Sequence, residues 1–552
     1  MIVPMLHLDL VCVGREADAT LEALRELGAV HLDLSHAKGA EVADARSDIS
    51  RAEAAVRAIA KARSEKEYAS ELVALPCTVD DVLAMSKRCE ELSSEADALS
   101  KTIAKYEPYG DFDPVLAAKL RAELGEELDK VADLPAQLPP KRLSTMRSEL
   151  AALEAEKLTI ESKLAACDEE SITSLYPGLA DRMAFCAARE LMSKSGEVAV
   201  ISGWTGAPRA KEITEAARKN GWGILMREAA AGETPPTLIE PPKFFRPVKA
   251  LFEGLGIAPA YTEADVSVPF MCYFSLFFAM LVGDGAYGAI FLAATLWGWK
   301  KFLASKSRNQ VARSWLVLMS VFSSATVLWG ILSNTWFGAN IPACADWPTV
   351  KWLSDPSYHN MMLLCFTIGA SHLVLARLWN AVCKAPDSTA LAELGWAGVL
   401  VMMYLVTNSI VGIFPGVPKW GIILGAVSVV LVFGFSVKPS ELKTRGAELG
   451  MLPLNIMSAL GDIISYVRLF AVGLASVKVA ENFNAMAVGL DLPLWLKVVP
   501  MVAILVVGHA LNLAMAGLSI LVHAVRLNTL EFSNHKGVSW AGYAFKPFKK
   551  TN

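Results

Sequence analysis

Residues 449–486 read LGMLPLNIMSALGDIISYVRLFAVGLASVKVAENFNAM, and residues 494–531 read LWLKVVPMVAILVVGHALNLAMAGLSILVHAVRLNTLE. Each is an apolar run of roughly 40 residues. At about 1.5 Å per residue, a helix of that length reaches roughly 55 Å, far beyond the ~30 Å hydrocarbon core of a bilayer. Such helices must tilt, bend or project from the membrane. Arg468 lies deep in the first run, and Arg526 lies near the end of the second. An arginine near the middle of a membrane helix costs about 2.5–3.5 kcal/mol on insertion scales. Its guanidinium does not escape by deprotonation. It must face a partner, face a water path, or reach the interface.

The neighbours decide between these. Asn455, Ser458, Asp462, Ser465 and Arg468 recur at helical spacing, so they share one face. His509, Asn512, Ser519, His523 and Arg526 do the same in the second run. Two polar stripes, each ending at an arginine, suggest two aqueous paths meeting at a charged barrier. Arg468 is remote from any helix end and is the firmer functional residue. Arg526 has snorkelling as an alternative. Glu531 either pairs with Arg526 or sits at the interface. Lys478 and Glu481 read as a mutual pair, and Asp284 as a helix cap in preference to an ion ligand.

Working outward, residues 267–283, 286–303, 313–337, 360–382, 392–414 and 418–436 are further apolar segments. With the two long runs they give eight predicted spans. Basic residues cluster after the second (Lys300, Lys301, Lys306, Arg308, Arg313), after the sixth (Lys438, Lys443, Arg445) and after the eighth (Lys546, Lys549, Lys550). An even count with both termini cytoplasmic satisfies the positive-inside rule. Trp297, Trp299, Trp336, Trp347, Trp352 and Trp495 read as interfacial aromatics.

The N-terminal half is different in kind. It is rich in Ala, Glu, Lys and Arg, so the mean hydropathy of +0.38 is carried by the second half. Residues 1–38 read strand, helix, strand, and 176–235 read as a second globular segment with an amphipathic helix ending at Gly221. Between them, 39–106 and 140–168 read as a helical hairpin or coiled coil, with its turn at 108–140. The Pro-rich stretch 234–265 reads as a linker along the membrane surface. The predicted architecture is therefore an α+β cytoplasmic domain in which a long helical hairpin joins two small α/β lobes. An all-α, eight-helix transmembrane domain with two long tilted C-terminal helices follows. The predicted boundaries are 1–245 for the cytoplasmic arm (lobes about 1–38 and 176–235, hairpin about 39–175), 246–266 for a linker and 267–552 for the ion-translocating transmembrane domain.

Several classes are excluded. There is no GxxxxGK[ST], GxGxxG or HExxH motif, so no nucleotide or metal site is expected. A formal charge of -4 without a basic, aromatic patch argues against nucleic acid. Nine scattered cysteines without CxxC spacing read as small buried hydrophobes in a reducing compartment. Residues 1–10 contain Asp9 and lack a basic start before a long apolar core, so no secretory signal is expected there and the N-terminal half is expected in the cytoplasm.

The segments SYVRLFAVGLA (465–475), GHALNLAMAGLSILVHAVRLNTLEFSNH (508–535) and AFKPF (544–548) resemble the C-terminal region of the V/A-type ATPase membrane subunit, called subunit a or subunit I. FSLFFAMLVGDGAYG (274–288) resembles the first membrane hairpin of that family, and 234–265 resembles its linker. The resemblance implies a non-catalytic stator subunit without cofactor, a multi-pass membrane protein, and the compact length without targeting signals favours a bacterial or archaeal plasma membrane. It implies as partners a proteolipid c-type ring, peripheral stalk subunits, a central-stalk collar subunit and, indirectly, the soluble ATPase sector. Arg468 and Arg526 match the family's two arginines, and His523 stands where relatives carry His or Gln. Ala516 stands where eukaryotic relatives carry a glutamate, a departure from the family's relay on that side for which His509, Asn512 and a water chain are the candidate substitutes. The competing classes are a stand-alone secondary transporter or channel with a cytoplasmic regulatory domain, and a membrane-anchored sensor. No inverted repeat is visible in the membrane half.

Overall fold

The computed structural model describes residues 1–64, 75–124, 135, 137–230, 232–304, 310–339, 341–342, 347–353, 357–437, 442–490 and 493–550. The chain forms two compact units, one of Leu6–Glu228 with Lys546–Asn552, the other of Met1–Met5 with Ala229–Phe545. Lys306, Arg308 and Lys438 lie outside the described residues, as do the side chains of Lys443, Arg445 and Trp495.

The first unit is built on one five-stranded sheet. Its strands are β1 (Met5–Val13), β2 (Val30–His31), β3 (Ser193–Ser195), β4 (Val198–Gly206) and β5 (Gly223–Glu228). The order is β2-β4-β1-β5, with β3 on β4. β1 pairs antiparallel with β5 from Leu6 opposite Glu228 to Val11 opposite Gly223. This corrects the expectation of two separate lobes, because residues 1–38 and 176–235 interleave in a single sheet. The physical reason is that a two-stranded lobe of such length leaves strand edges unpaired and buries too little apolar surface to stand alone. Joining the halves lets Leu8, Leu10, Leu21, Leu24, Ile201 and Ile213 form one core. Helix α1 (Ala17–Leu27) ends at Gly28, whose φ of 56° returns its N–H to the Leu24 carbonyl.

Between β2 and β3 the chain makes a helical excursion: α2 (Ala40–Ser64), α3 (Val79–Tyr106), α4 (Pro114–Leu124), α5 (Leu143–Ala166) and α6 (Tyr176–Leu191). Helix α3 starts on a capping box between Thr78 and Asp81. It packs against α5 in opposite direction: Arg88 reaches Glu156, Lys157 reaches Ser93, and Arg147 reaches Glu107. Cys77 and Cys167 are joined by a disulfide, with Cα atoms 5.7 Å apart. The reading of every cysteine as a simple buried hydrophobe is therefore corrected for this pair. The two lie 90 residues apart, so only the antiparallel pairing of α3 and α5 brings them together. Helix α7 (Ala210–Asn220) completes the unit between β4 and β5.

The second unit is helical. Segment 246–266, expected as a linker, carries α8 (Val248–Leu255), whose Val248, Leu251 and Phe252 are buried in the unit's main core. The long helices that follow are α9 (Ser267–Val282), α10 (Gly285–Ala304), α11 (Gln310–Ser333), α12 (His359–Lys384), α13 (Thr389–Ile410), α14 (Lys419–Phe435), α15 (Leu442–Ile464), α16 (Val467–Val488) and α17 (Leu494–Ser519). Five helical stretches among the described residues are long and apolar enough to cross a membrane: Gln310–Ser333, His359–Lys384, Thr389–Ile410, Leu449–Val488 and Lys497–Lys536. Ser267–Val282 and Lys419–Phe435 are apolar but shorter. Helices thus occupy all eight expected segments, whereas only five meet the length and hydropathy of a full span. The two long C-terminal stretches each reach 40 residues.

Candidate functional site

The site is built on the last two long stretches. Between α15 and α16 the helix tightens: Arg468 N–H donates to the Ser465 carbonyl (3.3 Å), and Leu469 N–H to that of Tyr466 (3.0 Å). These three-residue closures interrupt the α-helix immediately before Arg468. The Arg468 Nε donates to the Ser465 carbonyl as well (3.1 Å), which holds the guanidinium in place.

In the last stretch the helix widens instead. Ile520–Ala524 and Leu527–Phe532 are π-helical turns on either side of Arg526. In an α-helix, five residues carry a side chain about 140° around the axis. A turn that closes between residues i and i+5 brings such a pair over each other. Glu531 accordingly meets Arg526, with its Oε1 3.4 Å from the arginine Nε. The same Oε1 accepts from Arg468 Nη2 at 3.1 Å. One buried carboxylate bridges both arginines, with side-chain exposures of 6% for Glu531, 24% for Arg468 and 53% for Arg526. His523 is half-buried on the first wide turn, in the field of both guanidinium groups.

The expected stripes are brought into two separate networks. On the Asp462 side, Asp462 Oδ2 lies 3.0 Å from His535 Nε2, and Ser465 Oγ donates to the Asp462 carbonyl. Arg377 Nε donates to His535 Nδ1 (3.1 Å), so the imidazole proton sits on Nε2 and is directed at Asp462. Arg377 also pairs with Glu393, which Lys384 shares. Asn455 and Ser458, from the same stripe, are exposed on α15. On the other side, His509 Nδ1 is 2.8 Å from the Tyr287 hydroxyl, and its Nε2 3.2 Å from Asn484 Oδ1. Asn512 is fully buried. It donates to Tyr287 (3.1 Å) and to the Ser476 carbonyl (2.9 Å), and its Oδ1 accepts from Ser476 Oγ. Ser519 is half-buried further along.

The remaining expected residues fall elsewhere. Asp284 accepts from the backbone N–H of Ala286 and of Gly338, both at 2.8 Å, as a helix cap does. Glu481 pairs with Lys478 at 2.7 Å on an exposed face. Tyr287, Asn484, Arg377, Glu393, His535 and the Tyr466–His372 pair were not singled out in the sequence. Arg377 and Glu393 carried a usable signal, being charges inside apolar segments. Tyr466 is fully buried and bonds His372 at 2.9 Å, and His372 is stacked between Tyr273 and Phe532. Gly369 makes room for it, because a Cβ there would stand 2.4 Å from the Tyr466 ring.

Charged side chains thus gather at the break of one long apolar helical stretch and at the widened turns of another, each long and apolar enough to cross a membrane. No family model matches the chain. It is 28% identical to V-type ATP synthase subunit I 1 of Treponema pallidum, over the whole of both chains. It is 30% identical to V-type ATP synthase subunit I of Borreliella burgdorferi, over 65% of this chain and 62% of that one. It is 26% identical to A-type ATP synthase subunit I of Methanocaldococcus jannaschii, over 74% of this chain and 64% of that one. Over its whole length the chain is thus similar to subunit I of a V-type ATP synthase, and over most of its length to subunit I of an A-type one. Its relatives are named as subunits of the complex and not as its catalytic part.

Proposed function

We propose that this chain is the static membrane subunit of a rotary V/A-type ATPase, forming two offset ion half-channels against a turning proteolipid ring. The observation that carries this reading is the pair of guanidinium groups held by one buried carboxylate on the least enclosed apolar helix. In Lys497–Lys536 only 11% of the most apolar window is buried within the chain, against 33–50% in the other four spans. Leu511, Met515, Leu518 and Leu521 are exposed on it. A bare apolar face beside a charged centre suits a partner that carries acid groups through lipid.

The physics follows. A ring carboxylate facing lipid stays neutral, protonated or sodium-bound, because a bare charge there is too costly. Opposite Arg468 and Arg526, positive charge favours its ionised form, so the ion is released. The same charges keep ions from passing directly between the two paths. Asn455, Ser458, Asp462 and Ser465, with His535, line the cytoplasmic path. His509, Asn512 and Ser519, with Tyr287 and Ser476, line the outer one, and His523 flanks the barrier. All eight helical segments cross or enter the membrane, and both termini are cytoplasmic. The unit around residues 6–228 serves as the stator arm, held by peripheral stalks and the central-stalk collar, in a bacterial or archaeal plasma membrane.

Purification from native membranes in mild detergent tests the assignment. Co-purification of a proteolipid ring and stalk subunits is expected. A stable homo-oligomer carrying neither would favour a transporter acting alone and overturn the reading.

A further inference from the structure

We propose that Glu531 is a built-in counter-charge that sets how tightly the arginine pair holds an arriving carboxylate. This inference rests on the ring-facing role proposed for Arg468 and Arg526. Glu531 Oε1 is shared by both guanidinium groups, and the carboxylate lies behind them, nearly excluded from solvent. Its Oε2 is buried without a hydrogen-bond partner. Asp462 and Tyr466 face the cluster from the neighbouring stretch, and His523 and His535 from its own.

Two arginines alone would present two positive charges to each incoming acid. Attraction between opposite charges a few ångströms apart, away from bulk water, amounts to several kcal/mol. A ring that must let go of each carboxylate in turn is hindered by such a trap. With Glu531 ionised, the three groups carry one net positive charge, matched to one carboxylate. The site then still favours release of the ion from the arriving acid, and the acid recovers its ion on leaving. The shared Oε1 also fixes the two guanidinium groups side by side. The wide turn Leu527–Phe532 gives Glu531 this position.

The test uses the assembled complex in vesicles, with ATP-driven ion uptake measured across a pH series. Glu531→Gln keeps the shape and removes the charge. Uptake is expected to fall about tenfold, with its pH optimum moved towards acid by on the order of one unit, because a stronger positive field lowers the pH at which the ring acid regains a proton. Glu531→Asp keeps the charge with looser contact, and should slow uptake while leaving the pH optimum in place. An unchanged rate and optimum in Glu531→Gln overturns the inference. So does an acid-shifted optimum in Glu531→Asp, which decides the matter if the Gln variant fails to assemble. If Arg468→Ala loses uptake while Glu531→Gln behaves as wild type, only the counter-charge inference fails. If Arg468→Ala pumps normally, the underlying assignment fails as well.

Discussion

At the residue scale, the arginine cluster draws its properties from one acid that the sequence placed ambiguously. Tyr466 is the other residue on which the local geometry depends. Its hydroxyl bonds His372 in a fully buried setting, and its ring fills the space above Gly369. Tyr466→Phe leaves the imidazole nitrogen without its partner, which typically costs about 1–3 kcal/mol. Faster amide hydrogen exchange around residues 466 and 372 is the expected result, and unaltered exchange would argue that the bond contributes nothing. His31 gives a pH-dependent counterpart in the soluble unit, where its Nδ1 lies against the backbone of Lys546. Burial is the largest influence and pulls its pKa below the ordinary 6.5, against the opposing effects of the Lys546 backbone and Asp33. The unfolded chain therefore takes up a proton first on acidification. Stability is full above about pH 6.5 and falls as pH drops from there towards the folded pKa. His31→Gln should flatten that slope, measured as hydrogen exchange of β2 and β4 over a pH series. An equal slope in both proteins would remove His31 from the account.

At the element scale, the reading of helices succeeded where periodicity was simple and fell short where the period changed. The apolar runs, the cap at Gly28 and the antiparallel hairpin were legible, because 3.6-residue spacing, glycine at a helix end and repeated charge are local signals. The wide turns around Arg526 were not, since a change from α to π period leaves no composition signature. That is why Glu531 stood as a possible interface residue and not as the bridge between two arginines. Inserting one alanine after Thr529 turns the helix beyond it by about 100°. Glu531 then leaves the Arg526 face, and His535 rotates away from Asp462. Loss of ATP-driven uptake is expected, and wild-type uptake would show that the turn is dispensable. In the hairpin, Leu92 of α3 is completely buried. Leu92→Ala should cost about 2–5 kcal/mol through lost contact and a residual cavity. Exchange of the amides in α3 and α5 checks this, and unchanged protection would contradict the packing.

At the scale of the whole molecule, the division into an α+β unit and a helical unit was readable from composition alone. The joining of residues 1–38 and 176–235 into one sheet was not, because strand pairing across more than 150 intervening residues has no local trace. The disulfide between Cys77 and Cys167 escaped for the same reason. In the site, Arg468, Asp462, His509 and Asn512 were found as charges and polar groups in apolar surroundings. Tyr287 and Tyr466 were passed over because a tyrosine in such a run reads as one more aromatic. His509 and Asn512 are hydrogen-bonded to Tyr287, Ser476 and Asn484. In the proposed mechanism they act as a bonded relay more than as walls of an open path. The central claim is that Arg468 faces a moving carboxylate and forces ion flow through its rotation. Its most direct measurement is ATP-driven ion uptake by vesicles holding the complete complex with Arg468→Ala, once ring and stalks are shown to be present. Loss of uptake to the level without ATP is predicted, and uptake at the wild-type rate would contradict the account.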